Sequence, residues 1–183
     1  MPLVLREEIV NNERYEQERP DFRAEILKIK AVRRVHLGSH LTFLFENAAT
    51  MRYQIQEMMR IEQIADEEGI QHELTTYNEL LGTSGELGCT LLIEIDDPLQ
   101  RDIVLRKWLG LPQHIYLRCA DDRIVRAIYD DRQVGTDRLS SVQYLKFPCE
   151  GIAPTHIGID MPGLEIEVDL APETRVALAA DLD

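Results

Sequence analysis

Glu62 is the residue whose setting raises a chemical question. Across residues 51 to 65, a helical turn of about 100° per residue puts Met51, Ile55, Met58 and Ala65 on one stripe with Glu62 near its centre. Glu57, Arg60 and Gln63 fall off that stripe. A regular helix therefore turns the Glu62 carboxylate inward. An unpaired buried carboxylate costs several kcal/mol or moves its pKa up by as much as ~3–5 units, so Glu62 needs a cation or a polar pocket. Arg33 or Arg34, ending the preceding helix, can form a bidentate pair that fixes helix packing. The chemically active reading is a pocket that gathers Glu46, Glu57, Glu62 and His36, with His40 or His72 nearby, as ligands or proton-transfer groups. A kinked or misassigned helix would instead leave the glutamate in water.

Other constellations carry less. A carboxylate-bridged di-iron site wants Glu-x-x-His on each of two helices, and Glu68-Gly69-Ile70-Gln71-His72 has the wrong spacing with a glycine inside. His36 and His40 are four apart, but Gly38-Ser39 between them suits a two-residue hairpin turn that places His40 opposite Leu37 and points the imidazoles to different faces. Near the end of the chain, a Pro162-Gly163 turn pairs His156 with Asp169, Gly158 with Glu167 and Asp160 with Glu165. That row of carboxylates could hold a hard cation, although an acidic solvent face is its commoner meaning. Ser140-Ser141 has no nucleophile elbow around it, and Gly82 to Gly88 has glycines but no phosphate-binding lysine. Cys89, Cys119 and Cys149 form neither a C-x-x-C pair nor a metal cluster, and their odd number argues against a disulfide framework. They read as core or surface thiols. No cofactor and no metal centre is expected.

The elements that must position these residues follow from periodicity. Pro20 suits a first helical turn, with Phe22, Ile26 and Ile29 at helical spacing up to Arg33 and Arg34. A hairpin centred on Gly38-Ser39 follows, and Asn47 caps the helix that carries Glu62. Gly69 weakens or bends that helix; Ile70, Leu74, Tyr77 and Leu81 then mark a second amphipathic segment ending at Gly82. From residue 88 the period becomes two, with Leu91, Ile93 and Ile95 on one face. Asp97-Pro98 starts a helix that should run to Gly110. Ile115 to Cys119, Ile124 to Tyr129, Val142 to Phe147, Thr155 to Met161 and Leu164 to Leu170 read as strands, and a last helix starts at Pro172. Strands cluster late instead of alternating with helices, so the expected fold is α+β: a helix-rich N-terminal half on a mostly antiparallel sheet, in one domain of residues 1–183.

With 183 residues, 44% of them hydrophobic, the chain can bury a core without disulfides or metal. A formal charge of −13 opposes phosphate backbones, and the one basic run, Lys28 to Arg34, is short and lies on an expected helix, so nucleic acid is excluded as a partner. No stretch approaches the ~18 apolar residues of a membrane span, and the start lacks the pattern of a secretory signal, which makes the expected location cytoplasmic.

The chain also resembles an uncharacterised bacterial family catalogued as a domain of unknown function. The likeness rests on Glu18 to Arg23, on Arg33-Arg34-Val35-His36-Leu37-Gly38, on Phe45-Glu46-Asn47 and on Gln54 to Met58 with Arg60 and Glu62. It extends through Glu73, Tyr77-Asn78, Leu92 to Asp97, Ser141 to Pro148 and Leu178 to Leu182. It covers nearly the whole chain, with a less typical segment around residues 149 to 160. Members of that family look to be encoded beside rubrerythrin-like proteins and iron–sulfur oxidoreductases. The resemblance thus implies an accessory or interaction protein of peroxide-stress or electron-transfer systems, which contacts such a partner through its helical half; a separate reading is a structural oligomer with Met58 and Met59 as contact residues. The runner-up is a small enzyme or metal-binding protein using the Glu/His pocket.

Overall fold

A computed structural model describes residues 2–183. Helix α1, Asn12–Ala31, begins where the Asn11 side chain accepts the Arg14 N–H at 2.9 Å. Pro20 is therefore inside the helix and not in its first turn. It is tolerated because it lies on the exposed face, where the carbonyl it leaves unbonded can reach water. Strands β1, Arg34–Leu37, and β2, Leu41–Glu46, pair with Leu37 opposite Leu41. The hairpin loop is thus three residues, not two: Gly38 takes the left-handed φ of 63° and His40 lies in the loop instead of opposite Leu37.

Asn47 caps α2, Ala48–Glu62, as expected: its side chain accepts the Thr50 N–H while the Thr50 hydroxyl accepts the Asn47 N–H. The chain then breaks, and Asp66 caps a separate α3, Glu67–Asn78, which stops four residues short of Gly82. Gly69 sits in the first turn of α3 and is not the break. Next come β3, Leu87–Ile93, and α4, Pro98–Lys107, with Asp97 accepting the Gln100 N–H at 2.7 Å. α4 ends before Gly110, and a short 3-10 turn at Leu111–His114 leads into β4, Ile115–Cys119. The segment read as one strand splits at Ala127 into β5, Ile124–Arg126, and β6, Ile128–Tyr129. β7, Val142–Phe147, β8, Pro154–Met161, β9, Leu164–Asp169, and α5, Pro172–Leu182, complete the chain.

The fold is α+β, with two antiparallel sheets in place of one. The first has the order β1-β2-β3-β7-β6 and the second β5-β4-β8-β9. Ala127 is where the chain passes from one sheet to the other. Period-two burial sorts the first sheet into two faces. Phe43, Phe45, Cys89, Leu91, Leu145 and Phe147 join Leu117, Cys119, Ile157 and Ile159 of the second sheet in one apolar cluster, with Leu105 of α4 and Leu178 and Leu182 of α5. The register puts Thr42, Leu92 and Val142, and Leu44, Thr90 and Tyr144, in rows on the opposite face. A second cluster, built on Met51, Ile55, Met59, Ile70 and Leu74, holds α2 to α3. No helix of the described residues is long and apolar enough to cross a membrane.

Candidate ligand pocket

Between the helices and the non-core face of the first sheet lies a cavity of about 270 Å³. Its floor is Leu44 and Glu46 of β2, Thr90 and Leu92 of β3, and Val142 and Tyr144 of β7. Lys30 of α1, Met51 and Gln54 of α2, and Tyr77 of α3 close it, with Arg34 at its side. A strand otherwise wholly apolar but for Thr42 ends in Glu46, and that residue is 4% exposed. Its two oxygens accept from the Thr50 hydroxyl at 2.6 Å and the Thr90 hydroxyl at 2.8 Å. Burial pushes the Glu46 carboxyl above its ordinary value, and the two hydroxyls and Lys30 only partly offset this.

Lys30 is half-buried, and the desolvation of its ammonium lowers its pKa against the pull of Glu46. Its Nζ stands 5.1 Å from the centre of the Tyr53 ring. Among the described residues, neither Lys30 nor Arg34 takes part in an ion pair. Burial likewise raises Tyr77, which lines the cavity together with Gln54. The cavity therefore combines two uncommitted cations, a carboxyl inclined to keep its proton, and phenol and amide groups. Such a set can bind an anion and can hold or deliver a proton beside it.

Glu46→Gln offers a test by linkage. Because the folded-state pKa lies above the unfolded one, the native protein holds the proton better, and that stability is lost as pH rises through the folded pKa. Glutamine keeps the shape: its carbonyl can accept from one threonine hydroxyl while its amide donates to the oxygen of the other. The variant should match the parent protein in acid and become the more stable of the two as pH rises past the ordinary carboxylate range. Urea unfolding across that range measures it; a stability difference independent of pH would contradict the assignment.

Of the residues expected from sequence, only Glu46 and Arg34 line this cavity. Glu62 is exposed, which overturns its expected burial. Of the expected stripe, Met51 and Ile55 are buried, but Met58 is only half-buried and Ala65 is exposed, and the buried face takes Gln56 and Met59 instead. α2 also ends at Glu62: Gln63 takes a left-handed φ of 56° and the Ile64 N–H bonds the Met59 carbonyl at 2.9 Å, so the chain turns away before anything can cover the carboxylate. Neither arginine meets it. Arg33 instead forms a buried bidentate pair with Asp181 of α5, at 2.7 and 3.0 Å. Glu57 binds the Arg19 guanidinium at 2.6 and 3.0 Å and accepts the Tyr15 hydroxyl at 2.6 Å, tying α1 to α2. Arg19, above all, holds that carboxyl below its ordinary range.

The histidines are dispersed. His36 is exposed and its Nδ1 lies 3.0 Å from the Thr42 hydroxyl, which donates to Glu94 at 2.5 Å. His40 Nδ1 is 3.2 Å from the Glu94 carbonyl, and His72 is exposed. The last hairpin has the register read from its turn, His156 with Asp169, Gly158 with Glu167 and Asp160 with Glu165. Three of its four carboxylates are paired with arginines, Glu167 with Arg118, Asp160 with Arg126 and Asp169 with Arg175, while Glu165 accepts the Gly163 N–H. Among the described residues, no group of three or more His, Cys, Asp or Glu is placed to hold a metal ion. Sequence reasoning missed Lys30, Gln54, Thr90 and Tyr144 as cavity residues. The available signal was the abrupt Glu46 at the end of an apolar strand, together with the basic run in which Lys30 and Arg34 sit.

Comparison with known proteins agrees with the fold and leaves the chemistry open. A family model described as protein of unknown function (DUF3501) matches residues 3–182. A crystal structure described as a novel protein of unknown function from Burkholderia pseudomallei K96243 is similar at 33% identity, with all of both chains covered and a TM-score of 0.90. No curated protein matches the sequence.

Proposed function

Since the chain belongs to the DUF3501 family, whose description assigns no activity, we propose from its geometry that it is a binding protein for a small organic or inorganic anion. The observation that carries this reading is the pairing of Lys30 and Arg34 in one cavity, uncommitted, in a protein of net charge −13. Acidic side chains abound on the surface, yet among the described residues neither cation makes an ion pair with one, and Glu46 pulls on Lys30 only from a distance. Leaving an ammonium half-buried and unpaired works against folding, and an anionic ligand recovers that loss when it binds. The volume, just under the usual range for drug-sized ligands, suits a small molecule. Burial favours the proton on Glu46 and so lessens its repulsion of such an anion.

A thermal-shift panel of phosphate, sulfate, acetate, citrate and benzoate tests the reading at fixed ionic strength. At least one anion should raise Tm with saturation, and the gain should disappear in a Lys30→Met, Arg34→Met double variant. Equal shifts in both proteins, or none in either, would count against the pocket.

The setting for this binding is an accessory role beside an iron–sulfur oxidoreductase or a rubrerythrin-like protein, which rests on the family resemblance alone. A pull-down from the native host at physiological salt decides it: recovery of no redox protein removes the setting and leaves the pocket untouched.

A further inference from the structure

Cys119 ends β4 and Cys149 lies just beyond β7, so the two arrive from different sheets. Both are fully buried in the same apolar cluster, and the two thiols lie close enough to influence each other's titration. Backbone contacts place the same two segments together. The Arg123 carbonyl accepts the Cys119 N–H at 2.9 Å, while the Arg123 guanidinium donates to the Cys149 carbonyl at 3.3 Å. The Ala120 N–H bonds the Ala153 carbonyl at 3.0 Å, which holds the end of the loop after Cys149 against the end of β4. Cys89, in the middle of β3, is buried beside Glu46 instead.

We propose that Cys119 and Cys149 form a dithiol that oxidation converts into an intramolecular disulfide joining the two sheets. With hydrogen peroxide as oxidant, one sulfur attacks the peroxide, the O–O bond breaks, and a sulfenic acid and one water result. The second sulfur displaces the sulfenic oxygen as another water, and the S–S bond forms. Two thiols and one peroxide thus become one disulfide and two waters, with two electrons passing to the peroxide. The fold sets the tempo of this step. Burial pushes both thiols up, so little thiolate is present in the closed protein, and reaction needs the loop after Cys149 to open. That loop carries two consecutive left-handed residues, Glu150 at φ 53° and Gly151 at φ 78°. The pair is therefore slow to oxidise, and once the loop recloses its disulfide is shielded from reductants. It acts as a latch and not as a fast sensor.

The test uses the whole protein, treated with hydrogen peroxide alone and in urea below the unfolding midpoint, then alkylated and analysed as intact chain and as non-reduced peptides. The expected product has lost two hydrogens, carries a peptide cross-link between Cys119 and Cys149, forms faster in urea, and melts at higher temperature than the reduced protein. Cys89→Ser should still form the link, whereas Cys119→Ser and Cys149→Ser should not. Oxygen added to separate cysteines, a link through Cys89, or two free thiols after both treatments would overturn the proposal. None of these outcomes bears on anion binding.

Discussion

Arg33→Ala is expected to destabilise the protein by about 3–5 kcal/mol, the usual result of removing one partner from a buried ion pair. The side chains of Arg33 and Asp181 are only 11% and 9% exposed, and the guanidinium meets both carboxylate oxygens. Without it, Asp181 keeps a single long contact, the Asn47 amide at 3.4 Å, and remains buried with most of its charge unanswered. For a chain of this length the loss corresponds to a fall in Tm on the order of 10 °C. Asp181→Asn should lose less, because its amide can still accept from Arg33. A double variant that replaces both residues with apolar side chains of similar volume should recover much of the deficit, since the desolvation of two charges is removed along with their attraction. Thermal and urea unfolding of the set measures this. If Arg33→Ala unfolds like the parent protein, the pair does not anchor α5 to the start of β1.

Lys30→Met should move two properties in opposite directions. Methionine keeps the length and the contact with the Tyr53 ring but removes the ammonium. A hydrogen bond to a charged group contributes about 1.5–3 kcal/mol, so affinity for the bound anion should drop roughly ten- to a hundredfold. Stability should rise. Burial holds the folded-state pKa of Lys30 below its unfolded value, so the contribution of Lys30 to stability is present only above the unfolded pKa and is lost as pH falls through the folded one. At neutral pH the charged lysine therefore works against folding, and the variant is free of that cost. Calorimetric titration with the strongest anion, alongside urea unfolding at neutral pH, reads both effects. A variant that binds as tightly as the parent protein would place the anion elsewhere.

What the sequence disclosed was governed by how local the cause is. The Asn47 and Asp97 caps and the register after Pro162-Gly163 depend on residues within a few positions of one another, and each is found as read. The change from helical period to period two located the β-rich half. Glu62 failed for a definite reason: periodicity gives the direction of a side chain but neither the last turn of the helix nor what stands opposite. The Gly38 loop gained a residue because a left-handed glycine can open either a two- or a three-residue hairpin. The cavity was the least legible feature, as its lining comes from three helices and four strands. The meeting of Cys119 with Cys149 depends on the packing of two sheets, which no spacing along the chain encodes.

The central claim, that Lys30, Arg34 and Glu46 frame an anion site, is tested most directly by mapping the anion on the isotopically labelled protein by NMR. Titration should shift the amide signals of Thr90, Tyr144, Met51 and Gln54 together, with one saturating affinity, and leave those of the last hairpin unchanged. Shifts scattered over the exposed arginines, growing linearly with concentration, would contradict it.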